Sequence, residues 1–114
     1  MRRLELLPQV RHAYAELLRR SHQEFGEEAA ARYRWLVQRA FYDLRMDPDR
    51  AGVRTVGSGI RTYHLRSSRR SLPPEQRVRS PRHIVVFTAD EDVVRVLRLL
   101  HDSMDVSGRL RPLV

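Results

Sequence analysis

Apolar and polar positions alternate with two different periods along this chain, and the switch between them divides it into elements. Leu4, Leu6 and Leu7 in residues 3–7 predict a short strand that ends at Pro8. Pro8 fits the first turn of a helix, where its missing N–H is no loss. From there Val10, Ala13, Tyr14, Leu17 and Leu18 fall at spacings of three and four, one stripe of an amphipathic helix. Gly26 is a suitable stop, and Glu27-Glu28 then suit the positive end of a second helix. The stripe of that helix is Ala29, Tyr33, Leu36, Val37, Ala40, Phe41 and Leu44, and Asp47-Pro48 ends it. A one- or two-residue link forces the two helices antiparallel. Trp35 and Tyr42 lie beside the stripe, at the core edge or facing a partner.

Beyond the helices the period shortens. Residues 48–59 hold Pro48, Gly52, Gly57 and Gly59 and read as loop. Residues 60–67 read as a strand with Arg61, Tyr63 and Leu65 on one face and Ile60, Thr62, His64 and Arg66 on the other. That alternation is not cleanly apolar against polar, which predicts one wet or functional face. Residues 68–82 carry Pro73-Pro74, Pro81 and a concentration of arginine, and read as an exposed linker. Residues 83–89 form an apolar strand, and Asp90-Glu91-Asp92 a turn. Residues 93–101 are ambiguous: Arg95, Arg98 and His101 recur every third position as in a helix, whereas Val93, Val94 and Val96 favour a strand. Gly108 and Pro112 predict a short turn and loose tail at the end.

Composition narrows the chemistry. The 114 residues suit one domain, spanning 1–114, and 41% apolar content is enough for one core. Cysteine is absent, which excludes disulfides, thiolate catalysis and Cys-based metal sites and fits a reducing cytoplasmic setting. The Met1-Arg2-Arg3 start leads into an apolar stretch too short, and broken by Glu5, for a signal peptide, and no run is long enough to span a bilayer. The net charge is +8, and all 22 basic residues are arginine. Arginine forks match carboxylates and phosphates in two-pronged fashion, so the charge predicts an acidic partner, either nucleic acid or an acidic protein segment. No zinc spacing, phosphate-binding glycine loop or dinucleotide fingerprint occurs, so no metal and no cofactor is expected.

Four segments carry a resemblance to a known family. Leu4-Glu5-Leu6-Leu7-Pro8 opens the first helix, Gly26-Glu27-Glu28-Ala29-Ala30 links the two, and Gly59-Ile60-Arg61 opens the late strands. Leu100-His101-Asp102-Ser103-Met104-Asp105 then resembles the Leu-His-x-x-Met-Asp signature near the end of ParE toxins. In order and spacing, over about residues 3–110, these resemble the ParE/RelE toxin superfamily. The resemblance implies an α+β fold, β-α-α-β-β-β, with an antiparallel helical hairpin packed on a small antiparallel sheet and a short C-terminal tail. It also makes residues 93–101 a strand. The linker 68–82 is longer than the tight hairpin usual in the family.

The family likeness implies the toxin of a type II toxin–antitoxin system, neutralised by a ParD-type antitoxin whose acidic C-terminal segment folds on it. The expected target is DNA gyrase, and the expected assembly is a hetero-oligomer with antitoxin, with no membrane and no sequence-specific DNA binding. The alternative is a RelE-like, ribosome-dependent mRNA endoribonuclease. Cleavage of that kind needs a base, an acid and cations around a phosphorane. Arg61, Arg66 and Arg82 supply cations, and His64 or His101 are the candidate proton carriers. The chain has no tyrosine after Tyr63, where the RelE branch usually places one, and no lysine. A binding toxin without catalytic residues is therefore expected. Its contact residues for antitoxin or target are expected to be Arg61, Tyr63, Arg66, Arg82, Arg95, His101 and Met104. An antitoxin helix is expected in a groove between the hairpin and the sheet edge, with a strand added at that edge.

Overall fold

The computed structural model describes residues 1–113, with Ser107 through its backbone alone. Its elements are β1 (Arg3–Leu6), α1 (Pro8–Phe25), α2 (Glu27–Met46), β2 (Arg54–Gly57), β3 (Ile60–His64), β4 (His83–Ala89), β5 (Val93–His101) and α3 (Val106–Leu110). Two short 3₁₀ turns, Leu65–Ser71 and Pro74–Gln76, connect β3 to β4. The α+β class and the strand, hairpin, strands order are those expected, and residues 93–101 are a strand.

Local chemistry explains the joints. Leu7 precedes a proline and is extended (φ −65°, ψ 153°), and Pro8 starts α1. Gly26 alone separates the helices, at φ 94° and ψ 177°, and its N–H donates to the His22 carbonyl. This conformation is open to glycine and strained for other residues. Asp90 shapes the β4–β5 turn. Its Oδ1 accepts from the amides of Asp92 and Val93 at 2.8 and 2.9 Å, and these bonds hold its carboxyl below the ordinary range.

The sheet has five strands in the order β1-β5-β4-β3-β2. β5, β4, β3 and β2 pair antiparallel; β1 lies parallel to β5, Leu4 opposite Val94 and Leu6 opposite Val96. Two features depart from expectation. The loop 48–59 contains the edge strand β2, since the turn at Ser58-Gly59 folds Arg54 and Thr55 back against Thr62 and Arg61. The sheet is mixed, because the hairpin returns the chain so that its first strand joins the last one in parallel.

One face of the sheet packs on the hairpin. Val10 and Leu17 of α1 and Leu36, Val37, Ala40 and Leu44 of α2 meet Tyr63, Val85, Phe87, Val94 and Val96 in the main core. The strand expected over 60–67 stops at His64, where the 3₁₀ turn begins; within β3 Tyr63 joins this core and Ile60 faces the other way, and Leu65 reaches the core from the turn. That second face is drier than expected. Ile60, Val86 and Leu100 form a second cluster capped by Leu110, with Val106 and Leu113 against it. The C-terminal segment is therefore a packed helix rather than a loose tail, because Leu110 and its neighbours find apolar surface to cover.

The segment 68–82 is not a detached linker either. Ser68 is fully buried, Pro81 is buried, and Leu72 and Val78 pack on the main core. Its anchor is Asp43 of α2, whose side chain is 4% exposed. That carboxylate accepts from Arg39 Nε (3.0 Å), Ser68 Oγ (2.7 Å) and Ser71 Oγ (3.5 Å) and pairs with Arg50 (2.7 Å). The Tyr63 hydroxyl donates to Ser68 Oγ at 2.7 Å, since the Ser68 proton is already directed at Asp43. Burial raises the Tyr63 phenol above its ordinary pKa and keeps it a donor.

Two stability predictions follow from these contacts. Asp43→Ala strips acceptors from two buried or half-buried hydroxyls and two guanidinium groups, and chemical denaturation should register a loss of about 2–3 kcal/mol. Gly26→Ala, which meets no atom within 4 Å, should cost about 1–3 kcal/mol through backbone strain alone.

Candidate functional site

The anchored turn brings separate stretches of sequence around one open cleft of about 780 Å³. Arg66 and Arg69 come from the 3₁₀ turn after β3; Arg79 and Arg82 come from the approach to β4. His64 and Asp102 close the ends of β3 and β5, and Ser80, Pro81 and Ile84 complete the lining. Four arginines thus face one carboxylate.

Hydrogen bonds fix the groups at the floor. The Arg66 amide donates to His64 Nδ1 at 3.1 Å, so the His64 proton sits on Nε2 and is donated to Asp102 Oδ2 at 3.0 Å. Arg82 Nε donates to Asp102 Oδ1 at 2.8 Å. The His64 bond first, and Arg82 second, hold the Asp102 carboxyl below its usual range, so it stays an anion. Both ring nitrogens of His64 are engaged.

Behind the cleft, the Arg82 amide donates to the Tyr33 hydroxyl (3.0 Å), which donates to His83 Nδ1 (2.7 Å). His101 stacks edge-on against His83 with ring centroids 5.1 Å apart, and its Nδ1 accepts from the Ser103 amide at 3.1 Å. Burial, and then the neighbouring His101, depress the His83 pKa to about 4. His83 is therefore a neutral structural acceptor that ties α2 to β4.

The expected contact residues divide. Arg66 and Arg82 meet in the cleft, and His101 lies next to it with Nδ1 3.8 Å from Asp102 Oδ1. Met104, 42% exposed, sits on the turn after β5, its amide bonded to the His101 carbonyl. Arg61 is elsewhere, on Asp49 (3.0 Å) and the Pro48 carbonyl (3.1 Å). Arg95 is paired with Glu5 of β1 at 2.8 Å, outside the cleft lining. Tyr63 is fully buried in the main core, so it props the basic turn and offers no surface to a partner. Arg69, Arg79 and Asp102 were not singled out from the sequence. Arg69 and Arg79 were two among many loop arginines, and no spacing announces that Asp102 reaches back to Arg82. Among the described residues no group of three or more metal-ligating side chains gathers, and no helix is long and apolar enough to cross a membrane.

The His83 arrangement has a pH signature. The unfolded imidazole titrates near 6.5 and the folded one near 4, so between these values only the unfolded chain takes the proton. This contribution to stability is whole above pH 6.5 and is lost as pH falls towards 4. Thermal melts across that window should show the melting temperature dropping, and His83→Gln should flatten the slope.

A search of curated proteins gives no match. The family model described as "ParE toxin of type II toxin-antitoxin system, parDE" matches residues 4–106, from β1 into the start of α3. That span takes in the hairpin, all five strands and every wall of the cleft. The chain belongs to the ParE toxin family of type II toxin–antitoxin systems.

Proposed function

We propose that this toxin works by binding: its poison is directed at DNA gyrase, and a ParD-type antitoxin neutralises it with an acidic C-terminal segment. The observation that carries the binding half is the state of the arginines. Arg61, Arg82 and Arg95 are each paired with one acidic side chain at the surface, and Arg66 has no side-chain partner among the described residues. Pairs of this kind are worth about 0–1 kcal/mol, so an incoming carboxylate can replace the internal one at little cost. His101 lies beside the cleft that holds Arg66 and Arg82, and Met104 sits exposed on the turn after β5. β2 is an end strand with every residue exposed and pairs only with β3, which leaves its outer edge for an added strand.

The proton chemistry of the cleft favours a binder over a nuclease. A general base for a ribose hydroxyl needs a free ring nitrogen or carboxylate. His64 has neither nitrogen free, His83 is bonded to Tyr33, Asp102 is bridged between His64 and Arg82, and His101 Nδ1 already accepts from the Ser103 amide, which leaves the ring proton on Nε2. The gyrase target rests on family membership, since no residue here identifies it.

Titration of the purified toxin with the product of its operon neighbour tests the first half. Arg61→Glu, Arg66→Glu and Arg82→Glu combined should weaken the complex at least about a hundredfold, taking about 1 kcal/mol for each ion pair with the antitoxin that is removed. An unchanged affinity rejects the electrostatic reading. For the target, a supercoiling assay should show stalled gyrase–DNA complexes while in vitro translation proceeds. mRNA cut on the ribosome would instead establish the RelE-like alternative.

A further inference from the structure

We propose that the cleft between the 3₁₀ turn after β3 and the residues leading into β4 is a phosphate-binding site, taking the phosphate of a nucleotide or of a nucleic-acid backbone. This goes beyond the antitoxin and gyrase reading, with which it shares Arg66 and Arg82.

Arg69 donates through Nε to the Val78 carbonyl at 2.6 Å, and Arg82 through Nε to Asp102 at 2.8 Å. Each guanidinium is held in place by one edge while its terminal nitrogens make no hydrogen bond among the described residues. Donors positioned in advance bind an anion without the ordering cost that free side chains bear. The side chains of Arg66 and Arg79 form no hydrogen bond or ion pair among the described residues. The lining's one carboxylate, Asp102, is already committed to His64 and Arg82. The cleft therefore keeps an excess of three positive charges, four arginines against one aspartate.

Two of the forks come from one wall and two from the other. A carboxylate offers two oxygens in one plane; a phosphate offers more oxygens, and they diverge, so it can accept from both walls together. Ser80 adds a hydroxyl, and Pro81 and Ile84 give an apolar surface for the sugar or base. A volume of about 780 Å³ is in the range that accommodates small ligands of nucleotide size. His64 is a positioning residue here: it holds Asp102, and through it Arg82, in place.

The test is amide and arginine side-chain NMR on the full chain at constant ionic strength. The probes are inorganic phosphate, a nucleoside 5′-monophosphate, a single-stranded octanucleotide, and acetate and a short polyglutamate as carboxylate controls. Phosphate-bearing probes should shift Arg66, Arg69, Arg79 and Arg82 selectively. The double variant Arg66→Gln/Arg79→Gln, which breaks no internal hydrogen bond or ion pair of either side chain, should bind them at least about tenfold more weakly. Arg11→Gln/Arg34→Gln, an equal charge change on the helices, should leave affinity within about threefold. Tighter binding of the octanucleotide than of the monophosphate assigns the site to a strand; equal affinity assigns it to free nucleotides. Equal response to the carboxylate controls, shifts spread over all arginines, or equal losses in the two double variants would overturn the proposal.

Discussion

A carboxylate cut off from water must be answered by donors, and the answer given to Asp43 organises the half of this molecule that carries the basic cleft. Arg39 lies one turn away on the same helix, but Arg50, Ser68 and Ser71 come from segments that would otherwise have no reason to approach α2. An unpaired buried charge would cost several kcal/mol, so the 3₁₀ turn is held against the helix by the penalty for leaving. Tyr63 extends the chain of bonds into the sheet, where its ring lies in the main core. The polar network and the apolar core are thus one structure, joined at a phenol whose ring belongs to one and whose hydroxyl belongs to the other.

A second link, from Tyr33 through His83 and the Arg82 amide, fixes the other wall of the cleft to the same helix. Both walls of the basic cleft are referenced to α2, though neither belongs to it. This is how a segment rich in arginine, which repels itself, is kept in a defined arrangement: its backbone is held by buried bonds and its charges are left outside.

The helical hairpin was legible in the sequence because its signals are local. The three-four spacing, Pro8, Gly26 and Asp47-Pro48 each act within a turn or two, and the stripe from Tyr33 to Leu44 is buried as read. β4 was legible for the same reason. The edge strand β2 was not: Arg54-Thr55-Val56-Gly57 buries nothing, so it carries no hydrophobic pattern, and only pairing to β3 makes it a strand. The tail and the segment 68–82 were misread for a related reason. Leu110, Leu72 and Val78 are isolated apolar residues in polar surroundings, and what they cover lies far away in sequence. At the site, Arg66 and Arg82 could be found by charge density. Asp102 could not, since its role depends on β5 ending beside β3's last residue across β4, a fact of topology.

Charge alone does not make a site, and the arginines of this chain show the difference. On the helices, Arg19, Arg20 and Arg32 pair with glutamates three or four residues away, and these pairs do no more than decorate an exposed face. Arg95 and Arg61 each have one acidic neighbour and a similar balance. In the cleft the balance shifts, because the two walls that converge there bring four guanidinium groups and the strand ends bring a single aspartate. Convergence of like charge is unfavourable for the free protein and favourable only when something anionic is present. A fold that commits a buried carboxylate and two hydrogen-bond chains to maintain that convergence holds a surface whose electrostatic repulsion an anion would relieve.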